Sequence, residues 1–154
     1  MSTSLAVGLV LCVLLIPLQS AAEELIFRAS GPQVVLEKVG FSKVRFWVVH
    51  LIFSLVFASV HGAKNAAAFV VFVAIALALV VLVHQTAGTE SAIALHAVNN
   101  VMYFSLGLLK SKDMTGEQTE TSATVAVLAQ LVTITVVTLL MVLWHRRANR
   151  RLAR

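Results

Sequence analysis

The chain has 154 residues, 59% of them hydrophobic and 12% charged, against roughly 45–50% apolar and 25% charged in soluble globular domains. So little polar surface cannot wrap a water-soluble fold around so much hydrocarbon, which excludes a soluble enzyme, a disordered tail and a nucleic-acid-binding module. The net charge of +5 is concentrated, five of the twelve basic residues lying between Arg146 and Arg154, and a basic stretch beside an apolar helix reads as a juxtamembrane anchor on a lipid bilayer.

An unpaired backbone amide costs several kcal/mol in hydrocarbon, so apolar stretches of about 17–25 residues are read as spanning helices. The pattern predicts five: Leu5 to about Phe27, Phe46 to His61, Ala66 to Val83, Ser91 to Leu109 and Thr121 to Trp144. The expected fold class is therefore an all-α membrane protein, a polytopic bundle of about five transmembrane helices forming a single domain over 1–154. The first segment has no positive charge ahead of it in Met1-Ser2-Thr3-Ser4 and is read as a mature helix rather than a signal peptide. Its Cys12 is the only cysteine, which excludes a disulfide framework or a Cys-rich zinc site and leaves a lipid-facing or packed thiol.

Gly31-Pro32, with Glu37, Lys38, Lys43 and Arg45 after it, reads as a basic connector, and positive charge favours the cytoplasmic side. The third span, 18 consecutive apolar residues, has no polar face at all. The Gly62-Ala63-Lys64-Asn65 hairpin adds one Lys, and the loop from Lys110 to Glu120 balances two Lys against Asp113, Glu117 and Glu120. Even parity then sets the basic tail at 145–154 on the connector's side. The expectation is a multi-pass protein of the cell membrane with a cytoplasmic carboxyl terminus.

Ionisable residues inside spans cost about 2.5–3.5 kcal/mol on insertion scales, so each needs a partner or a task. Three clusters fit that description. In Glu23-Glu24-Leu25-Ile26-Phe27-Arg28, Glu24 and Arg28 are four apart and can pair, while Glu23 is turned about 100° away, leaving one carboxylate without a basic partner at that spacing. Phe57 and His61 share a face at the end of the second span. His96 and Asn100 share a face inside the fourth, with Asn99 pointing aside. Each cluster has a plainer reading: a solvated helix end, a His at a helix dipole, or interhelical glue. His50 and His84 have no second polar residue at helical spacing and receive that plainer reading outright. Together, though, the three supply an acid, two imidazoles and an amide from three helices, the parts of a hydrolytic site.

The order Glu-Glu-x-x-x-Arg, Phe-x-x-x-His, His-x-x-x-Asn resembles the CPBP family of intramembrane endopeptidases, which includes the type II CAAX prenyl proteases and bacterial Abi-type proteins. The resemblance covers Ala22 to about Leu109, with Thr86-Ala87-Gly88-Thr89-Glu90-Ser91 standing where relatives have a small-residue turn. It is to a short or amino-terminally truncated member, with Ala29 where relatives commonly have Gly. The resemblance implies Glu23 as the catalytic glutamate, Glu24 and Arg28 as its structural companions, His61 as the second water-binding residue, and His96 with Asn100 facing the substrate carbonyl. It also implies a membrane-associated protein or peptide as substrate and no cofactor.

The chemistry of the residues agrees. A carboxylate in apolar surroundings can take a proton from water and later give it to a leaving amine, which suits Glu23. Asn100 and His96 carry N–H groups for a developing oxyanion, worth about 3–4 kcal/mol each in a dry site. A metal alternative has Glu23, His61 and His96 as ligands of an open zinc site, although no His-Glu-x-x-His helix is present. Outside proteolysis, the same clusters fit a non-catalytic immunity or scaffold protein, or a small transporter with a proton relay. One geometric condition is strict. Alternating spans separate Glu23 from His61 unless the first helix continues past Phe27 toward Leu36, tolerating Pro32 as membrane helices can.

Overall fold

The computed structural model describes residues 3–63, 65–111 and 120–152. The regular structure among the described residues is all helical: α1 (Thr3–Glu24), a π-helical segment (Leu25–Ser30), α2 (Gly31–Val39), α3 (Lys43–Val60), α4 (Ala66–Thr86), α5 (Glu90–Ser111) and α6 (Glu120–Leu152). Five of the resulting runs are long and apolar enough to cross a membrane, as the hydropathy pattern predicts. Lys64, most of the Lys110–Glu120 loop and the end of the basic tail at Arg154 lie outside the described residues.

The first span corrects the expected boundary at Phe27. α1, the π segment and α2 run on as one stretch from Thr3 to Val39, 37 residues long, so Glu23 stands near its middle rather than at an end. The cause is local. Proline has no N–H to give the preceding turn, and the wider π turn ahead of Pro32 rearranges those bonds: the Gly31 N–H goes to Ile26 O five residues back, and the Ser30 hydroxyl donates to Leu25 O at 2.7 Å. Gly31 is required here, because any Cβ would collide with Ile26 O and stand 2.5 Å from the Phe53 ring of α3.

The expected basic connector from Gly31 shrinks accordingly to Gly40–Ser42. Gly40 takes a positive φ of 80°, a conformation that costs glycine little. Ser42 Oγ caps α3 by accepting from Arg45 N at 3.2 Å, and Arg45 Nη1 reaches back to Val39 O at 2.7 Å. His61 lies just past α3, as its C-cap. α4 opens on an Asn65 cap that accepts from Ala68 N at 2.8 Å and closes on Ala87 in the left-handed region.

The core is an apolar seam of Val71, Ile75, Leu79 and Leu82 from α4, Ala92 and Leu95 from α5, and Ile134 and Val142 from α6. α1 lies along α5, with Gly8 against Leu108. Side chains such as Leu14, Leu18, Leu55, Val70 and Leu140 point outward, at 40–68% exposure, as lipid-facing positions of a bundle do. α6 extends the expected fifth span: Arg146, Arg147 and Arg150 continue the helix instead of forming a separate tail, and Arg146 Nη2 donates to Gln85 Oε1 at the end of α4.

Candidate active site

The polar side chains of the first span lie at the junction of α1, which ends on Glu23 and Glu24, with the π segment, which carries Arg28. Arg28 pairs with Glu24 at 3.1 Å, as their spacing predicts, and both are buried, Glu24 completely. A buried charge without compensation is expensive. Here Glu24 Oε1 also accepts from His96 Nδ1 of α5 at 2.7 Å, across 72 residues of sequence. Arg28 lies with its guanidinium 3.9 Å from the centre of the Phe57 ring, a cation–π contact that partly replaces the lost hydration. The Phe57 ring meets Phe27 edge to face at 5.4 Å and His61 at 3.9 Å. The aromatic residue of the second cluster is thus the floor on which the first and third are assembled.

Glu23 faces the other way from Glu24 and toward both imidazoles. Its Oε2 is 3.4 Å from His61 Nε2 and 3.6 Å from His96 Nε2. Its Oε1 accepts from Gln19 Nε2 at 2.8 Å, a companion four residues back that the sequence offered in that very spacing. The sequence expectation of an acid without a basic helical partner holds, but the acid is not unheld.

Both histidine tautomers follow from their second nitrogens. His61 Nδ1 lies 2.6 Å from Phe57 O and His96 Nδ1 lies against the Glu24 carboxylate; each of these oxygens can only accept, so each Nδ1 carries the proton. In the neutral rings the two Nε2 atoms are then acceptors, and with Glu23 Oε2 they bring three lone pairs within 4.8 Å of one another. Glu23 Oε2 is shielded from solvent and receives no hydrogen bond within the described residues. The two O–H groups of one water can serve Glu23 Oε2 and His61 Nε2, and a metal ion can coordinate all three atoms.

Asn100 Nδ2 donates to His96 Nε2 at 2.9 Å. Asn99, which the sequence sets aside, connects instead: its Nδ2 donates to Asn100 Oδ1 at 3.2 Å, and its Oδ1 accepts from Gln130 of α6 at 3.2 Å. Every residue singled out from sequence is therefore in one connected group: Glu23, Glu24, Arg28, His61, His96 and Asn100. Gln19, Asn99 and Gln130 were missed. His50 and His84 gather elsewhere, around Phe46, with ring centres 4.3 and 5.1 Å from it.

An acid, two imidazoles with lone pairs turned toward it, and an amide thus meet inside a bundle of helices long and apolar enough to cross a membrane. The family model described as Type II CAAX prenyl endopeptidase Rce1-like matches residues 3–102, well over half of the chain, and the chain belongs to that family of membrane endopeptidases. The match runs from α1 through His96 and Asn100 on α5 and stops short of α6. No curated protein and no solved structure matches the chain.

Proposed function

We propose that this protein is a glutamate-dependent intramembrane endopeptidase that cleaves peptide bonds of membrane-associated substrates without a metal. The observation that carries the reading is the meeting of Glu23 Oε2 with the Nε2 atoms of His61 and His96, three acceptors from α1, the C-cap of α3 and α5 within 4.8 Å. Water held between Glu23 and His61 gives a proton to the carboxylate as its oxygen attacks the scissile carbonyl carbon. The oxyanion formed is met by the Asn100 amide, which has a second N–H besides the one given to His96 Nε2, and His96 acts by holding that amide in place. When the carbon–nitrogen bond breaks, Glu23 returns the proton to the leaving amine, so protons balance over the cycle. Glu24 and Arg28 stay paired and hold His96 and Phe57 in place.

A second reading has the same three atoms hold zinc. The spacings of 3.4 and 3.6 Å suit ligands about 2.0–2.2 Å from a shared ion, but the Asn100 amide would have to leave His96 Nε2. Hydrolysis of an internally quenched peptide bearing a prenylated cysteine, by the full chain in lipid nanodiscs, separates the two. Survival of activity in strong chelators, with loss in Glu23→Gln, is the expected result. Activity abolished by chelation and restored by zinc would replace it with the metal mechanism, and equal activity of Glu23→Gln and wild type would remove both, leaving a scaffold held by polar glue.

The same proposal includes an orientation, from the basic connector and the basic end of α6. Single cysteines introduced at Lys43 and Arg150 should both be labelled from the cytoplasmic side; labelling from opposite sides would overturn the five-span topology.

A further inference from the structure

Gln130 is a polar side chain in the apolar run Leu128–Arg150 of α6, beyond the residues that the family model matches. Its Nε2 donates to Asn99 Oδ1, Asn99 Nδ2 donates to Asn100 Oδ1, Asn100 Nδ2 donates to His96 Nε2, and His96 Nδ1 donates to Glu24 Oε1. The chain has a direction, and the direction is forced from the Glu24 end. Glu24, ionised and paired with Arg28, can only accept, so His96 carries its proton on Nδ1 and needs a donor at Nε2. Asn100 supplies its NH2 there, which turns its oxygen to Asn99. Asn99 must then donate to Asn100, which leaves its own oxygen in need of a donor. Among the described residues, Gln130 is the one that provides it.

Removing that donor does more than unpair one oxygen. An unsatisfied amide oxygen in an apolar span is costly, and Asn99 can relieve it by swinging its side chain away toward another donor. Asn100 Oδ1 then loses the Asn99 N–H that fixes it, and the Asn100 NH2 is no longer held on His96. We propose that Gln130 is a positioning residue: acting through Asn99, it sets the amide face that Asn100 presents to His96 and to the site beside Glu23. The proposal rests on the reading of Asn100 and His96 as participants in hydrolysis. Plain interhelical glue between α5 and α6 would require only that Asn99 and Gln130 be paired, and would leave Asn100 and His96 indifferent.

The test uses Gln130→Met, which keeps length and volume while removing both donor and acceptor, in the full chain in lipid nanodiscs with the quenched prenylated peptide as probe. We expect kcat per folded molecule to fall about tenfold, the lower range for losing a group that orients a ligating or catalytic residue, with KM changed less than about twofold. Because the effect passes through Asn99, the double variant Asn99→Leu with Gln130→Met should be no slower than Asn99→Leu alone. In 15N-histidine spectra, the His96 Nε2 resonance, identified by its loss in His96→Gln, should shift in Gln130→Met. The proposal is overturned if kcat is unchanged while thermal stability falls, if the two losses multiply, or if the His96 signal does not move. Full activity of Glu23→Gln would instead break the hydrolytic reading beneath it, and the spectra would still decide whether Gln130 governs His96.

Discussion

The molecule contains two pairs of histidines brought together around a phenylalanine ring, and they differ in two respects that matter chemically. Around Phe57, His61 and His96 have ring centres 6.5 Å apart, each ring has its Nδ1 tied to an oxygen, and both Nε2 atoms turn to one carboxylate. Around Phe46, His50 and His84 meet aromatic faces, with Trp47 edge-on to His84 at 6.2 Å; among the described residues neither is in a salt bridge, and the buried Nδ1 of His50 has no partner. Proximity of imidazoles is therefore not what marks a site. The marks are a fixed tautomer and an acid placed where the remaining nitrogens converge.

That contrast predicts its largest effect at Glu23. In peptide-cleavage assays Glu23→Gln should lower turnover by about 10²–10⁴-fold, the range for losing a general acid–base, while His50→Gln and His84→Gln should stay within about threefold of wild type. A loss at His50 equal to that at Glu23 would break the comparison. Next, Asn100→Ala should lower turnover by roughly a hundredfold if its amide stabilises the oxyanion, and His96→Ala, which removes the acceptor that orients that amide, by about 10–100-fold, with KM the lesser change. A rise in KM alone would move both residues from transition-state stabilisation to substrate binding.

How much of this could be read in the residues themselves depends on the length scale of the force involved. The spans were legible because lipid leaves no alternative to long apolar helices, and Glu24–Arg28, Phe57–His61 and His96–Asn100 were legible because i, i+4 neighbours must share a helix face. Gln19, four before Glu23, was available by the same rule and was passed over because it carries no charge. The Glu24–His96 bond, the Gln130–Asn99 bond and the gathering of His50 with His84 join residues from different helices. Helix-to-helix register is set by packing, which no short-range spacing encodes. The end of the first span was legible only in part: Gly-Pro is a strong stop signal in water and sets a boundary near Phe27, whereas the need to bring Glu23 to His61 points to the continuation past Pro32, which the π turn provides with Ser30 and Gly31 rearranging its bonds.

A smaller effect on turnover, but a distinct one on stability, is expected at Glu24. It is fully buried and holds both Arg28 and His96, so Glu24→Gln strands a buried guanidinium, and breaking one side of a buried pair costs about 3–5 kcal/mol. Thermal unfolding in detergent should fall sharply, and the folded fraction should retain more activity than Glu23→Gln does. Activity lost as completely as in Glu23→Gln, with unchanged unfolding, would make Glu24 the acid of the reaction and reverse the two roles.

The smallest expected effect falls at Gly31, and it tests the π turn on which the geometry of Glu23 depends. A methyl group there has no room, with Ile26 O on one side and the Phe53 ring on the other. Ile26 O is backbone and accepts the Gly31 N–H, so the carbonyl cannot step aside without opening the turn. The Phe53 ring can move, at the cost of loosening α2 from α3. Overpacking of this kind typically costs about 1–3 kcal/mol, so Gly31→Ala should lower thermal stability by that order. It should also slow cleavage modestly, because the same turn sets the rotation of Arg28 over Phe57 and of Glu24 under His96. Gly31→Ala combined with Phe53→Leu should recover part of both losses by making space for the methyl group. If the single variant is as stable and as active as wild type, then the first span tolerates an ordinary helical path through Gly31-Pro32, and the placement of Glu23 beside His61 does not depend on the π segment.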